Sequence, residues 1–262
     1  MLAVAGFVVW WRVRAPNPGR YGLRRIAFTV HSRLLHQDLG EVAVVPESGG
    51  AGRPLLVFLH GRGGSPASLM SNQLFSALRS LGPKAPDLVA VDGGEASYYH
   101  DRRDGPWGTY VVREAIPEAI RLLHADSHRV AIGGTSMGGF GAFDIARLWP
   151  HRFCAAGGNS PAIFLSGAQS AAGAFDDAED FARHDLLAVA RTDPHVYGRI
   201  PLWVDTGTTD FFRQADTTFA RLLKAGGERV RFHVWPGGHA AAHWDGHFPE
   251  YVRFFARALA RC

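Results

Sequence analysis

The stretch Val130-Ala131-Ile132-Gly133-Gly134-Thr135-Ser136-Met137-Gly138-Gly139-Phe140 decides how the chain is read. An apolar, β-favouring run passes through small residues straight into a helix-compatible segment reaching Leu148, and the turn between them spells Gly134-x-Ser136-x-Gly138. A strand–turn–helix of this kind forces the serine into a tight bend, raises its hydroxyl above the sheet and aims the next backbone N–H at a bound oxyanion. Glycine on either side is then a steric requirement. The pentapeptide recurs by chance in chains rich in glycine, so its weight comes from the strand, turn and helix standing in the expected order.

Outward from that turn the rhythm is regular. Short β-like runs at 55–59, 88–91, 130–132, 153–156, 202–204 and 230–235 are separated by longer helix-compatible stretches at 67–81, 109–123, 140–148 and 212–225. Parallel strands need such crossovers, so the alternation predicts an α/β fold with a mostly parallel central sheet and helices on both faces. The runs at 25–30 and 40–45 read as antiparallel strands at the sheet edge. Pro66 suits a helix start and Gly82-Pro83 a helix end, while Pro117 is expected to divide or kink the helix over 109–123. The segment 166–191 exceeds the alternation and reads as an added helical excursion, either a lid over the ligand-binding end of the sheet or a plain surface helix.

Bulk properties fit one large domain. Of 262 residues 47% are hydrophobic and 20% charged, enough apolar material for a core on both faces of a sheet. The 28 Lys and Arg are scattered among 24 Asp and Glu, so the net charge of +4 forms no stripe and a nucleic-acid partner is not expected. The chain divides into an apolar segment and linker at 1–24 and the α/β domain at 25–262. Residues 2–11 are apolar but about half the ~20 a spanning helix needs. They read as the end of a signal or anchor, which leaves membrane association, export and a cytoplasmic address open. Two cysteines, Cys154 and Cys262, imply no disulfide framework, and a buried thiol and a solvated one are expected.

Serine is a poor nucleophile at neutral pH, so Ser136 needs a histidine to take its proton and an acid to hold that histidine's tautomer. In this topology they follow on loops leaving later strands, in the order acid and then histidine. Asp210, after the run Pro201-Leu202-Trp203-Val204, is the candidate acid. Asp205 competes from nearer the strand, where neighbouring backbone is expected to fix it. His239, after Trp235-Pro236-Gly237-Gly238, is the candidate base.

His243 and His247 follow His239 at spacings of four, so a zinc site is the rival reading. It lacks an H-E-x-x-H pattern, and Gly246 with Pro249 argues against one helix carrying all three ligands, so no metal and no organic cofactor are expected. The loop His60-Gly61-Arg62-Gly63-Gly64-Ser65 offers the N–H of Arg62 as one oxyanion donor, and Met137 offers the other. A phosphate loop would need a Lys followed by Ser or Thr, which is missing. Tyr98, Tyr99 and Trp107 are candidates for a pocket wall or for scaffold packing. Asp101-Arg102-Arg103-Asp104 reads as a solvated, self-neutralising turn.

Ser136-Met137-Gly138-Gly139-Phe140-Gly141-Ala142, the 60–65 loop, Trp107 through Pro117 with Glu114, and Gly237-Gly238-His239 together resemble the esterase D group of α/β-hydrolases. That group includes S-formylglutathione hydrolases, feruloyl and acetyl esterases and mycolyltransferases. The resemblance runs from about residue 25 onward. It implies the α/β-hydrolase fold, a small-molecule ester as partner, and hydrolysis through an acyl-enzyme on Ser136, with Asp210 as acid, His239 as base, and the N–H groups of Arg62 and Met137 around the oxyanion. An acyltransferase or a catalytically silent binding protein are the alternatives. The Asp-Gly-Leu-Arg pattern of mycolyltransferases is replaced by His60-Gly61-Arg62-Gly63, and the Thr-Cys pair of S-formylglutathione hydrolases by Gly63-Gly64. Ala240-Ala241-Ala242 stands where relatives carry an aromatic and an acidic residue.

Overall fold

The computed structural model describes residues 16–193, 195–198 and 200–262; the apolar opening at 2–11 lies outside them. Strands β1 (Leu23–Ser32) and β2 (Gln37–Pro46) form an antiparallel hairpin. Then β3 (Leu55–Leu59), β4 (Asp87–Val91), a small hairpin of β5 (Asp101–Arg102) and β6 (Gly105–Pro106), β7 (Val130–Thr135), β8 (Ala156–Asn159), β9 (Leu202–Gly207) and β10 (Val230–Trp235) follow along the chain. Eight of them make one sheet in the order β1-β2-β4-β3-β7-β8-β9-β10, antiparallel only at the β1, β2 and β4 pairings and parallel from β4 onward. This is the predicted fold class.

Side-chain alternation shows why the sheet is covered twice. Leu55, Val57 and Leu59 of β3 join one core, and Leu56 and Phe58 the other. The first core packs against α3 (Ile116–Leu123), α4 (Met137–Leu148) and α7 (Arg213–Ala225); the second packs against α1 (Asn72–Ser80) and α8 (Ala241–Leu259). All five β3 side chains are fully buried, as expected of a central parallel strand. Among the described residues no helix is long and apolar enough to cross a membrane.

The helix over 109–123 is divided just ahead of Pro117: α2 (Trp107–Tyr110) passes into α3 through a π turn at Val111–Ala115, whose wider winding lets Ile116 N–H reach Val111 C=O. Other expectations need correction. The run at 153–156 mostly precedes its strand. Glycines occupy β8 because Trp203, Phe255, Phe143 and Pro161 crowd it; a Cβ on Gly158 would stand 2.9 Å from Pro161 Cβ. Gly246 and Pro249 lie inside the continuous helix α8, which carries His243 and His247 but not His239, so no one helix holds all three although neither residue breaks it. Finally, Cys154 and Cys262 are joined in a disulfide, tying the chain end to the approach of β8. Their separation of 108 residues gave no local signal.

The 166–191 excursion contains a 3-10 turn (Gly167–Gln169), α5 (Ala178–Arg183) and most of α6 (Leu186–Thr192). The 101–104 cluster is neutralised from within only in part: Arg102 pairs with Asp104 at 3.5 Å, but the arginines also reach beyond the turn. Arg102 pairs with Asp176 at 3.1 Å and donates to Gly173 C=O, and Arg103 pairs with Asp177, so the turn fastens the excursion.

Candidate active site

The sharp bend at the carboxyl end of β7 is built by what cannot fit there. Ser136 has φ 55° and ψ −117°, outside the usual regions for a residue with a side chain. A Cβ on Gly134 would lie 2.4 Å from the carbonyl carbon of Gly138, and one on Gly138 would lie 2.1 Å from Leu59 O. Both contacts are impossible, so glycine is required at both. Ser136 N–H donates to Asn159 C=O at 3.0 Å, and its own C=O accepts from Phe140 and Ala162 N–H, which over-determines the turn.

Ser136 Oγ is 2.8 Å from His239 Nε2, and His239 Nδ1 is 3.0 Å from Asp210 Oδ2. The three residues come from the loops after β7, β9 and β10 and meet above the sheet. Burial works to raise the Asp210 carboxyl, but the hydrogen bonds from His239 and from Phe212 N–H outweigh it and hold it below the usual carboxylate range. An ionised Asp210 accepts, so His239 carries its proton on Nδ1 and presents a bare Nε2 to the serine hydroxyl.

Asp205 is elsewhere. It accepts from Trp203 Nε1 at 2.6 Å, and burial pushes it up to about 7. His243 and His247 do not share a coordination sphere with His239, whose two ring nitrogens are both engaged. His243 Nδ1 lies under Gly237, and His247 stacks on Trp235 with centroids 3.7 Å apart.

The N–H groups of Arg62 and Met137 donate to no other group among the described residues, whereas Gly63 N–H is taken by Glu95 C=O and Gly64 N–H by Gly61 C=O. Met137 N–H belongs to the free first turn of α4, where the helix dipole favours negative charge. A cavity of about 500 Å³ opens beside Ser136 and His239. Its apolar wall comes from Leu69, Tyr98, Ala171, Phe211, Trp244 and Phe248. Phe211 is 72% exposed and packs 4.6 Å from the His239 ring, while Trp244 meets that ring edge-on at 4.9 Å. A larger hollow of about 720 Å³ lies at the opposite, amino end of the strands, beside the disulfide, and does not include Ser136.

Of the three aromatics considered from sequence, only Tyr98 reaches the cavity. Tyr99 is fully buried, donates to Val91 C=O and accepts from His60 N–H; Trp107 packs on Gly94 and donates to Asp104. A support for the 60–65 loop went unnoticed in the sequence. His60 Nε2 accepts from Gly93 N–H at 3.1 Å, and Glu41, deep in β2, accepts from Asp92 N–H and the Tyr110 hydroxyl. Burial pushes Glu41 up to about 8.

The family model described as "Putative esterase" matches residues 41–255. No curated protein sequence matches the chain. Solved structures share its fold: a ferulic acid esterase (TM-score 0.80, 20% identity, 90% of this chain and 98% of that one) and an S-formylglutathione hydrolase from Agrobacterium tumefaciens (TM-score 0.76, 21% identity, 91% and 96%). A third is the fluorophosphonate-binding serine hydrolase FphF of Staphylococcus aureus, with a TM-score of 0.72, 19% identity and coverage of 89% and 98%. With a hydroxyl, an imidazole and a carboxylate aligned at the carboxyl end of the sheet, and a family match spanning most of its length, this chain belongs to the esterase family of α/β-hydrolases.

Proposed function

We propose that the protein is a serine carboxylesterase working through an acyl-enzyme on Ser136. The observation that carries the reading is the unbroken hydrogen-bonded line Ser136–His239–Asp210 opening into an apolar cavity. Ser136 Oγ attacks the acyl carbon while His239 Nε2 takes the hydroxyl proton. Asp210 keeps the imidazole oriented and stabilises its cation. The former carbonyl oxygen becomes an anion held by the N–H groups of Arg62 and Met137, each worth on the order of 3 kcal/mol of barrier. Collapse expels the alcohol, which leaves with the proton from His239. Water then attacks the acyl-enzyme, His239 takes one of its protons, and the carboxylic acid departs as Ser136 recovers its own.

The apolar wall of the cavity suits a hydrophobic acyl or aryl group. A panel of chromogenic esters from acetyl to long-chain and aryl acids tests this. Turnover is expected on at least one member, with fluorophosphonate labelling that disappears in Ser136→Ala. No turnover across the panel together with no labelling would overturn the reading. Added alcohols diverting the acyl group from water would instead indicate an acyltransferase.

A further inference from the structure

The excursion between β8 and β9 is held to the body by ionisable side chains that the proposed chemistry does not use. His100 precedes β5, Asp180 lies in α5, and His184 caps the end of α5. His100 and Asp180 are fully buried and His184 nearly so. Nε2 of His100 stands 3.0 Å from Oδ2 of Asp180, and Nε2 of His184 stands 3.8 Å from Oδ1 of the same carboxylate. One donor atom from each of the three lies within 4.8 Å of the other two, and the two imidazole centroids are 4.4 Å apart.

The groups around them fix their orientation. Nδ1 of His184 is 2.8 Å from Oδ2 of the fully buried Asp144, which is paired on its other oxygen with Arg147. With Nδ1 turned to the Asp144 carboxylate, His184 directs Nε2 at Oδ1 of Asp180 from 3.8 Å, too far for a hydrogen bond. Asp180 is itself oriented by Asp176 N–H at 2.8 Å and by Arg183 at 3.0 Å. A carboxylate behind an imidazole is the arrangement that fixes the tautomer and direction of metal-bound histidines.

We propose that His100, Asp180 and His184 bind a divalent first-row transition ion, zinc foremost. Two imidazole nitrogens and one carboxylate oxygen suit zinc and do not suit calcium or magnesium, which take oxygen ligands. Zinc bonds of about 2.1 Å place neighbouring ligands roughly 3.4 Å apart in a tetrahedral sphere, so closing the sphere takes side-chain shifts on the order of an ångström. Water takes the fourth position.

The role is structural. The ion clasps the loop carrying Tyr98 to the excursion carrying Ala171, two parts of the cavity wall. His100 stacks on Phe175 at 5.2 Å, Phe175 packs on Phe164, and Phe164 on Phe212, whose ring lies 5.1 Å from that of His239. Occupancy therefore stiffens the side of the cavity nearest the triad.

The test uses the full chain, stripped with a chelator and titrated with zinc chloride or cobalt(II) chloride. One zinc per chain by elemental analysis is expected, with a rise in unfolding temperature on zinc addition and a visible cobalt band of tetrahedral type. His184→Gln and Asp180→Asn are each expected to weaken binding at least about 100-fold, whereas Ser136→Ala and His247→Gln leave it unchanged. Zinc-edge X-ray absorption on the unaltered protein needs no variant and is expected to show two imidazoles with oxygen ligands. Absence of stoichiometric binding, binding that survives both ligand substitutions, loss in His247→Gln, or a sphere with three imidazoles or none would each overturn the proposal.

Discussion

Ser136 is held in a backbone state that costs roughly 1–3 kcal/mol, and the glycines flanking it leave the turn no alternative packing. Gly138→Ala should therefore fail at folding rather than at chemistry, read as loss of soluble, cooperatively unfolding protein. The two carboxylates after Leu202 separate the proposed acid from its neighbour. Asp210→Asn is expected to lower kcat about 10⁴-fold, by leaving His239 without its orienting acceptor, while Asp205→Asn leaves kcat/KM within about threefold. Equal losses in a chromogenic ester assay would show that Asp205 shares the acid's role. The residues of the line were legible because each sits in a short motif whose geometry is local: serine between glycines, aspartate and histidine on loops after β-like runs. Phe211, Trp244 and Leu69 were not legible, because they become neighbours only when segments 33 to 175 positions apart are brought together by the sheet.

Whole elements were read well where burial and period agreed. The runs at 55–59 and 230–235 coincide with β3 and β10. Interpretation failed where tertiary packing overrode local propensity. Helix α8 runs through Gly246 and Pro249, and β8 is nearly bare of side chains because bulky neighbours fill the space. The link from Cys154 to Cys262 fastens the end of α8 to the entry of β8, at the far end of the strands from Ser136. Cys262→Ser, or reduction, is expected to lower unfolding free energy by about 2–5 kcal/mol and to leave kcat/KM unchanged. Denaturant unfolding and ester turnover on the same samples check both halves.

Across the whole molecule the sheet order carries the 60–65 loop, Ser136, Asp210 and His239 to one end, and the alternation of runs foretold that much. The buried acid beneath it was hidden. Glu41 keeps its proton to about pH 8 instead of its ordinary 4.5, so the folded chain binds more protons than the unfolded one throughout that window, and stability falls as pH rises through it. Glu41→Gln keeps an oxygen to accept from Asp92 N–H and turns its NH2 to the oxygen of Tyr110, reversing that hydrogen bond, without the charge. Its stability relative to the parent is expected to improve between pH 4.5 and 8 by on the order of a few kcal/mol, read from urea unfolding at each pH.

The cavity wall is assembled from segments around Leu69, Tyr98, Ala171, Phe211 and Trp244, none of which forms the serine turn. Selection can thus retune which esters are accepted one rim at a time, leaving the reactive centre untouched. Innovation in this lineage should accumulate at the periphery, and the glycines of the bend should be the last to change.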